Sequence, residues 1–292
     1  MMEKTMSVQS AVVSKRALAI GRRACLGAAL VTGALFVSGA AVAAPILPGW
    51  TCTGSCGTLG ADGVVTTSPH GSPVYSYVTT AGGLNGAGQL GVGGTNGSFL
   101  RSPLFSANSG DALSFYFNYV TSDGAGFADY GWAALLDDTG EINSVLFTAR
   151  TTTSGDTVPG FGLDPLAPGV SLTPASTPII GGGPVWSALG GSSGACWSTG
   201  CGYTGWIEMD YLIPTAGNYY LAIAATNWGD TAFDTGMAVD GATIAGVDIG
   251  TPPTGVPAPG ALGLFGLGLI GLGALRRRAR TLNATLSPVK TL

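Results

Sequence analysis

Along the middle of the chain, large apolar residues alternate with smaller or polar ones. Leu113, Phe115, Phe117 and Tyr119 interleave with Ser114, Tyr116 and Asn118, so a strand here puts one set against a core and leaves the other wettable. Tyr219, Leu221, Ile223 and Ala225 alternate with smaller partners in the same way. Short β-rich runs bounded by Gly, Pro, Asn, Asp and Ser predict strands over residues 74–79, 98–105, 112–120, 130–136, 145–149, 205–211, 218–225 and 237–244. No long stretch of helical period interrupts them. The expected fold of residues 45–255 is therefore all-β, a single β-sandwich domain. Residues 151–204 are rich in Gly, Pro, Ser and Thr and show no strand pattern, which predicts one long loop stapled by Cys196 and Cys201.

The two ends follow a different rule. Lys15, Arg16, Arg22 and Arg23 precede an uncharged, small and apolar stretch from Cys25 to Val42, which closes on Ala41-Val42-Ala43. That order predicts a signal peptide over residues 1–44, with an N-terminal membrane anchor as the plainer alternative. The paired arginines leave both the general and the twin-arginine export routes open. At the other end, Val256-Pro257-Ala258-Pro259-Gly260 leads into ALGLFGLGLIGLGAL and then Arg276-Arg277-Arg278-Ala279-Arg280. A transmembrane helix is expected over 260–275, with the arginine cluster held on the cytoplasmic side and a short tail over 281–292.

This three-part order over residues 256–280 resembles the PEP-CTERM sorting signal, with Ala258 standing where the family's namesake motif has glutamate. The resemblance implies recognition by an exosortase-type membrane transpeptidase that cuts near the motif, in bacteria that make exopolysaccharide and biofilm. The expected course is export, retention in the inner membrane by the C-terminal helix, then release or transfer to the cell surface or the outside.

Charge sharpens the division. Of 12 Lys and Arg residues only Arg101 and Arg150 lie between 45 and 255, against 15 of the 16 acidic residues, so the body carries a net −13 between two basic ends. A body of that charge repels phosphate backbones, which excludes nucleic acid as a partner. Cys25 belongs to the leading apolar stretch, and the other cysteines form two close pairs, Cys52/Cys56 and Cys196/Cys201. In an exported protein these predict disulfides. Three pairings are open, local closure of each small loop being the simplest, and a zinc knuckle is the cytosolic alternative.

Two acidic segments carry the candidate chemistry. TSDGAGFADYGWAALLDDTG, residues 121–140, contains Asp123 and Asp129, and NWGDTAFDTGMAVDGATI, residues 227–244, contains Asn227, Asp230, Asp234 and Asp240. Hard oxygen ligands among glycines suit calcium, although neither segment fits an EF-hand loop, and aspartates that cap turns give the same pattern. Asp240 is the strongest single candidate, because it interrupts an apolar strand where an unpaired carboxylate is costly. The T-S-D-G-x-G-F-x-D-Y and G-D-T-x-x-D-T-G-x-x-x-D-G patterns in these segments resemble secreted bacterial domains that carry PEP-CTERM tails. Those look like jelly rolls related in shape to carbohydrate-binding modules, which implies a fold and a surface setting.

Catalytic raw material is thin: the one histidine, His70, lies between Pro69 and Gly71, no lysine occurs between 45 and 255, and no G-x-S-x-G elbow is present. No enzyme is expected. The leading expectation is a structural or interaction protein of the cell surface or extracellular matrix. The alternative is an exopolysaccharide-binding module, calcium-dependent or not, with Trp186 and Trp197 of the glycine-rich loop as exposed stacking platforms.

Overall fold

A computed structural model describes residues 49–250. The signal peptide expected over 1–44, the sorting signal over 256–280 with its helix at 260–275, and the tail over 281–292 lie outside the described residues. Eleven of the eighteen strands among the described residues form the main paths of the two large sheets: β1 (Thr51–Thr53), β2 (Ser55–Leu59), β3 (Tyr75–Thr79), β4 (Asn96–Arg101), β5 (Ala112–Thr121), β6 (Tyr130–Leu136), β7 (Ile142–Arg150), β8 (Ser171–Thr173), β9 (Ile207–Leu212), β10 (Gly217–Thr226) and β11 (Thr235–Ile244). They form two antiparallel sheets, in the orders β1-β4-β10-β6-β7 and β8-β9-β5-β11-β3-β2. The fold is an all-β sandwich.

The alternating patterns account for the packing between the sheets. Leu113, Phe115, Phe117 and Tyr119 of β5 are fully buried in one cluster with Leu221 and Ile223 of β10 and Phe147 of β7. The Phe117 and Phe147 rings stack at 3.8 Å and 3° across the core. Burying each such ring contributes about 2–3 kcal/mol. Strand β6, YGWAALL, is instead a continuous apolar run, and it is buried on both faces. Ala133 and Leu135 face the core, while Tyr130, Trp132, Ala134 and Leu136 form an outer cluster covered by Leu90.

The structure departs from the sequence pattern in two places. The stretch 98–105 is split: β4 ends at Arg101 and a separate short strand, Phe105–Ala107, pairs with β10. The long loop over 151–204 also contains paired segments. Asp156–Val158 pairs with Thr177–Pro178, β8 joins β9, and Ile180–Gly181 pairs with Gly202–Tyr203. A short 3-10 turn, Ser187–Ser192, then lays Trp186, Ala188 and Leu189 onto the outer face of the second sheet. These pieces are two to six residues long, too short to show a period.

Both disulfides close locally, Cys52 to Cys56 and Cys196 to Cys201. The first has a topological role. Cys52 sits opposite Leu100 in the first sheet and Cys56 opposite Val78 in the second, so the bridge pins the corner where the chain changes sheet. Gly54 makes that corner at φ +91°, and a Cβ there would lie 2.4 Å from Ser98 Oγ. No helix among the described residues is long and apolar enough to cross a membrane.

Candidate functional site

The core-facing stripes do not stay apolar to the ends of the strands. Beyond Tyr119 the inward positions of β5 become Thr121 and then Asp123. Beyond Ala225 the inward position after β10 is Asn227. The pairing of Thr226 with Tyr130 puts Asn227 beside Asp129, just ahead of β6. One end of the sandwich is thus closed by a buried polar layer, and the loops over 122–129 and 227–234 lie over it.

Asp129 is the centre of this layer and is 0% exposed. Thr235 Oγ1 donates to its Oδ2 at 2.7 Å, and the Trp228 backbone N–H donates to its Oδ1 at 2.8 Å. Tyr119 Oη donates to its carbonyl oxygen at 2.8 Å and lies 2.8 Å from Thr151 Oγ1. Burial pushes the Asp129 carboxyl well above the usual carboxylate range, and the neighbouring charges of Asp123 and Asp230 push it the same way. Asp123 is 1% exposed; its Oδ1 accepts from the Gly124 N–H at 2.6 Å. Its Oδ2 is buried with no hydrogen-bond partner. Burial, with a contribution from Asp230, raises the Asp123 carboxyl to about 7.

Asn227 is also 0% exposed. Its amide nitrogen donates to Asn96 Oδ1 at 3.1 Å, while its own Oδ1 is a second buried oxygen without a donor. Asp230 closes the cluster on the solvent side. Its Oδ1 accepts from the Ala232 N–H at 2.9 Å, and its carbonyl accepts from Thr95 Oγ1.

The five aspartates singled out in the sequence therefore do not form one constellation. Asp123, Asp129 and Asp230 lie near enough at the loop end for their charges to act on one another. Asp234 is occupied otherwise: Thr80 Oγ1 donates to its Oδ1 at 3.1 Å and Ser192 Oγ to its Oδ2 at 2.9 Å. That carboxylate ties three loops together. Asp240 lies on β11 about 17 Å from Thr235 by strand rise, where the register with β5 shifts. Its Oδ2 accepts from Ser68 Oγ at 2.6 Å, so it is not the unpaired carboxylate the apolar strand suggested. It borders a separate small crevice of about 40 Å³ between Trp50, Tyr75, Leu100 and Val239. Asp137 caps the β6–β7 turn through the N–H groups of Thr139 and Glu141. Among the described residues no three His, Cys, Asp or Glu side chains are grouped to hold a metal by themselves.

The tryptophans are also redistributed. Trp186, expected as an exposed platform, is 0% exposed. Its Nε1 donates to Tyr75 Oη at 2.9 Å and its ring meets Tyr77 edge-on at 5.9 Å. The indole fits because Gly236 has no Cβ; one would lie 2.7 Å from the ring. Trp197 is 55% exposed beside the Cys196–Cys201 bridge, and its ring lies 5.2 Å from that of Phe233. Phe233 holds a left-handed backbone, φ +57°, which is costly for a bulky residue.

The sequence reading did not single out Trp228 and Phe161, 37% and 50% exposed. Both rings lie against the Arg150 guanidinium, at 5.3 Å and 4.9 Å. Arg150 is itself buried and donates to the carbonyls of Ala128 and Phe161. The loop end is thus an aromatic rim set over a buried, electron-rich polar layer.

No protein-family model matches the chain, and no curated protein matches it. Among solved structures, the K1 cleaved adhesin domain of Lys-gingipain from Porphyromonas gingivalis W83 is similar at 14% identity and a TM-score of 0.32, over 69% of this chain and 92% of that one.

Proposed function

We propose that this chain is an exported bacterial surface or matrix protein, delivered by a PEP-CTERM-type signal to an exosortase-type enzyme, with a non-catalytic interaction role. The observation that carries this reading is the division of the chain by solvent. A body with 15 carboxylates and two arginines is followed by the apolar stretch 260–275 and an arginine cluster. Such a body belongs in water, and such a tail belongs in lipid with its arginines on the cytoplasmic side. Two local disulfides support an oxidising destination. His70 is exposed in a turn, and Glu208 is engaged by the Tyr116 hydroxyl at 2.9 Å, which supports a role without catalysis. We further read the sandwich as a jelly roll, because the chain passes repeatedly between the two sheets, from β4 to β5, β5 to β6, β9 to β10 and β10 to β11. Intact mass of the mature protein from its host tests the reading. Cleavage near residue 44 and near Pro257–Gly260 is expected; an uncut chain with free thiols overturns it.

The aromatic rim favours a second, more specific role, the binding of exopolysaccharide. Trp197 with Phe233, and Trp228 with Phe161, present ring faces to solvent at one end of a rigid scaffold, where sugar faces stack. Replacing Trp197 and Trp228 by Ala is expected to release the protein early from an affinity gel of host polysaccharide, while Trp50→Phe leaves retention unchanged. Equal retention of all variants overturns this role.

A further inference from the structure

Two buried oxygens at the loop end have no donor, and they come from segments about a hundred residues apart. Asp123 Oδ2 ends the inward stripe of β5, and Asn227 Oδ1 ends that of β10. Leaving such an oxygen unsatisfied costs about 1–3 kcal/mol, and native interiors rarely keep two in one layer. Asp129 lies beside Asn227 by strand register, and the charges of Asp123 and Asp230 both act on it. A layer holding three carboxylates is unfavourable unless protons or a cation offset the charge. Arg150, on the neighbouring strand, attracts Asp129 from a distance but makes no ion pair with the layer. Its guanidinium is turned to carbonyl groups and ring faces instead.

We infer that this layer is a calcium site, in which Asp123 Oδ2, Asn227 Oδ1 and the carboxylate of Asp230 are side-chain ligands and Asp129 is the buried counter-charge behind them. The donor chemistry selects the ion. All the oxygens are hard, no imidazole lies nearby, and the nearest cysteines are joined in a disulfide, which disfavours zinc and the softer metals. With only two of the carboxylates free to ligate, the set is completed by amide, backbone or water oxygen. Calcium accepts such mixed, irregular shells, whereas magnesium demands a near-ideal octahedron. Asp129 has both carboxylate oxygens engaged by Thr235 and Trp228. It therefore couples the ion to the strand end of β11 and to the loop that carries Trp228. The same ion would tie the loop over 122–129 to the loop over 227–234, the two segments beneath the rim.

This inference is independent of polysaccharide binding. Its test is equilibrium dialysis of the full chain in detergent, stripped with chelator and then titrated with calcium chloride. One ion per chain is expected, with the melting temperature rising as calcium is added and not with equal magnesium. Asp123→Asn and Asn227→Ala should each weaken calcium binding at least tenfold, while Asp240→Asn and Asp137→Asn bind as the unaltered chain does. A second readout needs no variant at these positions. Terbium added to the stripped wild-type chain should emit when tryptophan is excited, and calcium should displace it. Absence of stoichiometric calcium binding overturns the site, and so does binding that survives both Asp123→Asn and Asn227→Ala.

Discussion

Trp186→Ala separates a tryptophan that packs from one that is displayed. The indole is fully buried under the 3-10 turn, its Nε1 is bonded to Tyr75 Oη, and its ring meets Tyr77. Truncating a buried Trp to Ala costs about 3–5 kcal/mol, and leaving the buried Tyr75 hydroxyl without its donor adds about 1 kcal/mol. A total of about 4–6 kcal/mol lowers the melting temperature by about 10–20 °C for a domain of this size. Trp186→Phe keeps most of the packing and loses the N–H, so about 1–2 kcal/mol is expected. Gly236→Ala places a Cβ 2.7 Å from both the indole and the Val78 carbonyl oxygen, and about 1–3 kcal/mol of overpacking follows. Because the indole and Gly236 touch, the double variant should cost less than the sum of the two. Trp197→Ala is the control, with a change within about 0.5 kcal/mol expected for an exposed side chain. Urea unfolding followed by tyrosine and tryptophan emission measures all five. A loss below about 1 kcal/mol for Trp186→Ala refutes the packing argument.

Stability should also fall with rising pH in chelator. Asp123 titrates at about 7 in the fold against 3.8 in the unfolded chain, and Asp129 is shifted in the same direction. Ionising them therefore favours the unfolded chain, so stability is greatest below about pH 4 and is lost as pH rises toward 7. The Asp123 displacement is worth at most about 4 kcal/mol, cut to about 2 kcal/mol by solvent screening beside the surface loops. Asp123→Asn should gain about that much at pH 8 and little at pH 4.5 in urea titrations; equal effects at both pH values contradict the assignment. Cys52→Ser together with Cys56→Ser should cost about 2 kcal/mol by loop closure alone. Peptide-amide exchange should rise first in β1 and β2, and uniform protection across the double variant would contradict the corner role of that bridge.

The strands were legible wherever burial on one face imposed a period of two. Strands β5 and β10 carry that signal in Phe115, Phe117, Leu221 and Ile223, and β6 carries the continuous run of a strand covered on both faces. What escaped is held by partners distant in sequence. Trp186 lies in a glycine-rich stretch that looks exposed, yet its contacts are Tyr75, Tyr77 and Gly236, from other strands. The acidic motifs marked the correct loops but could not rank their members. Asp234 and Asp240 are engaged by hydroxyls of Thr80, Ser192 and Ser68, none of them near in sequence. Asn227 matters because of one undonated oxygen, a property no residue type announces.

Trp50 Nε1 donates to the carbonyl of Ile249 at 3.2 Å, and Ile249 in turn donates to Ala242 at 2.8 Å, so residue 250 leaves the sandwich alongside β11. The rim sits at the Thr235 end of that strand, about 23 Å away. Tension between a tether at residue 250 and a ligand gripped at the rim would run lengthwise along β11, which is laddered to β5 on one flank and β3 on the other. Ladder bonds lie across the strands, so once the short return Val247–Asp248 has peeled from Thr243 and Ile244, such a pull must shear many of them together instead of unzipping them singly. A domain hung this way resists being drawn out by flow.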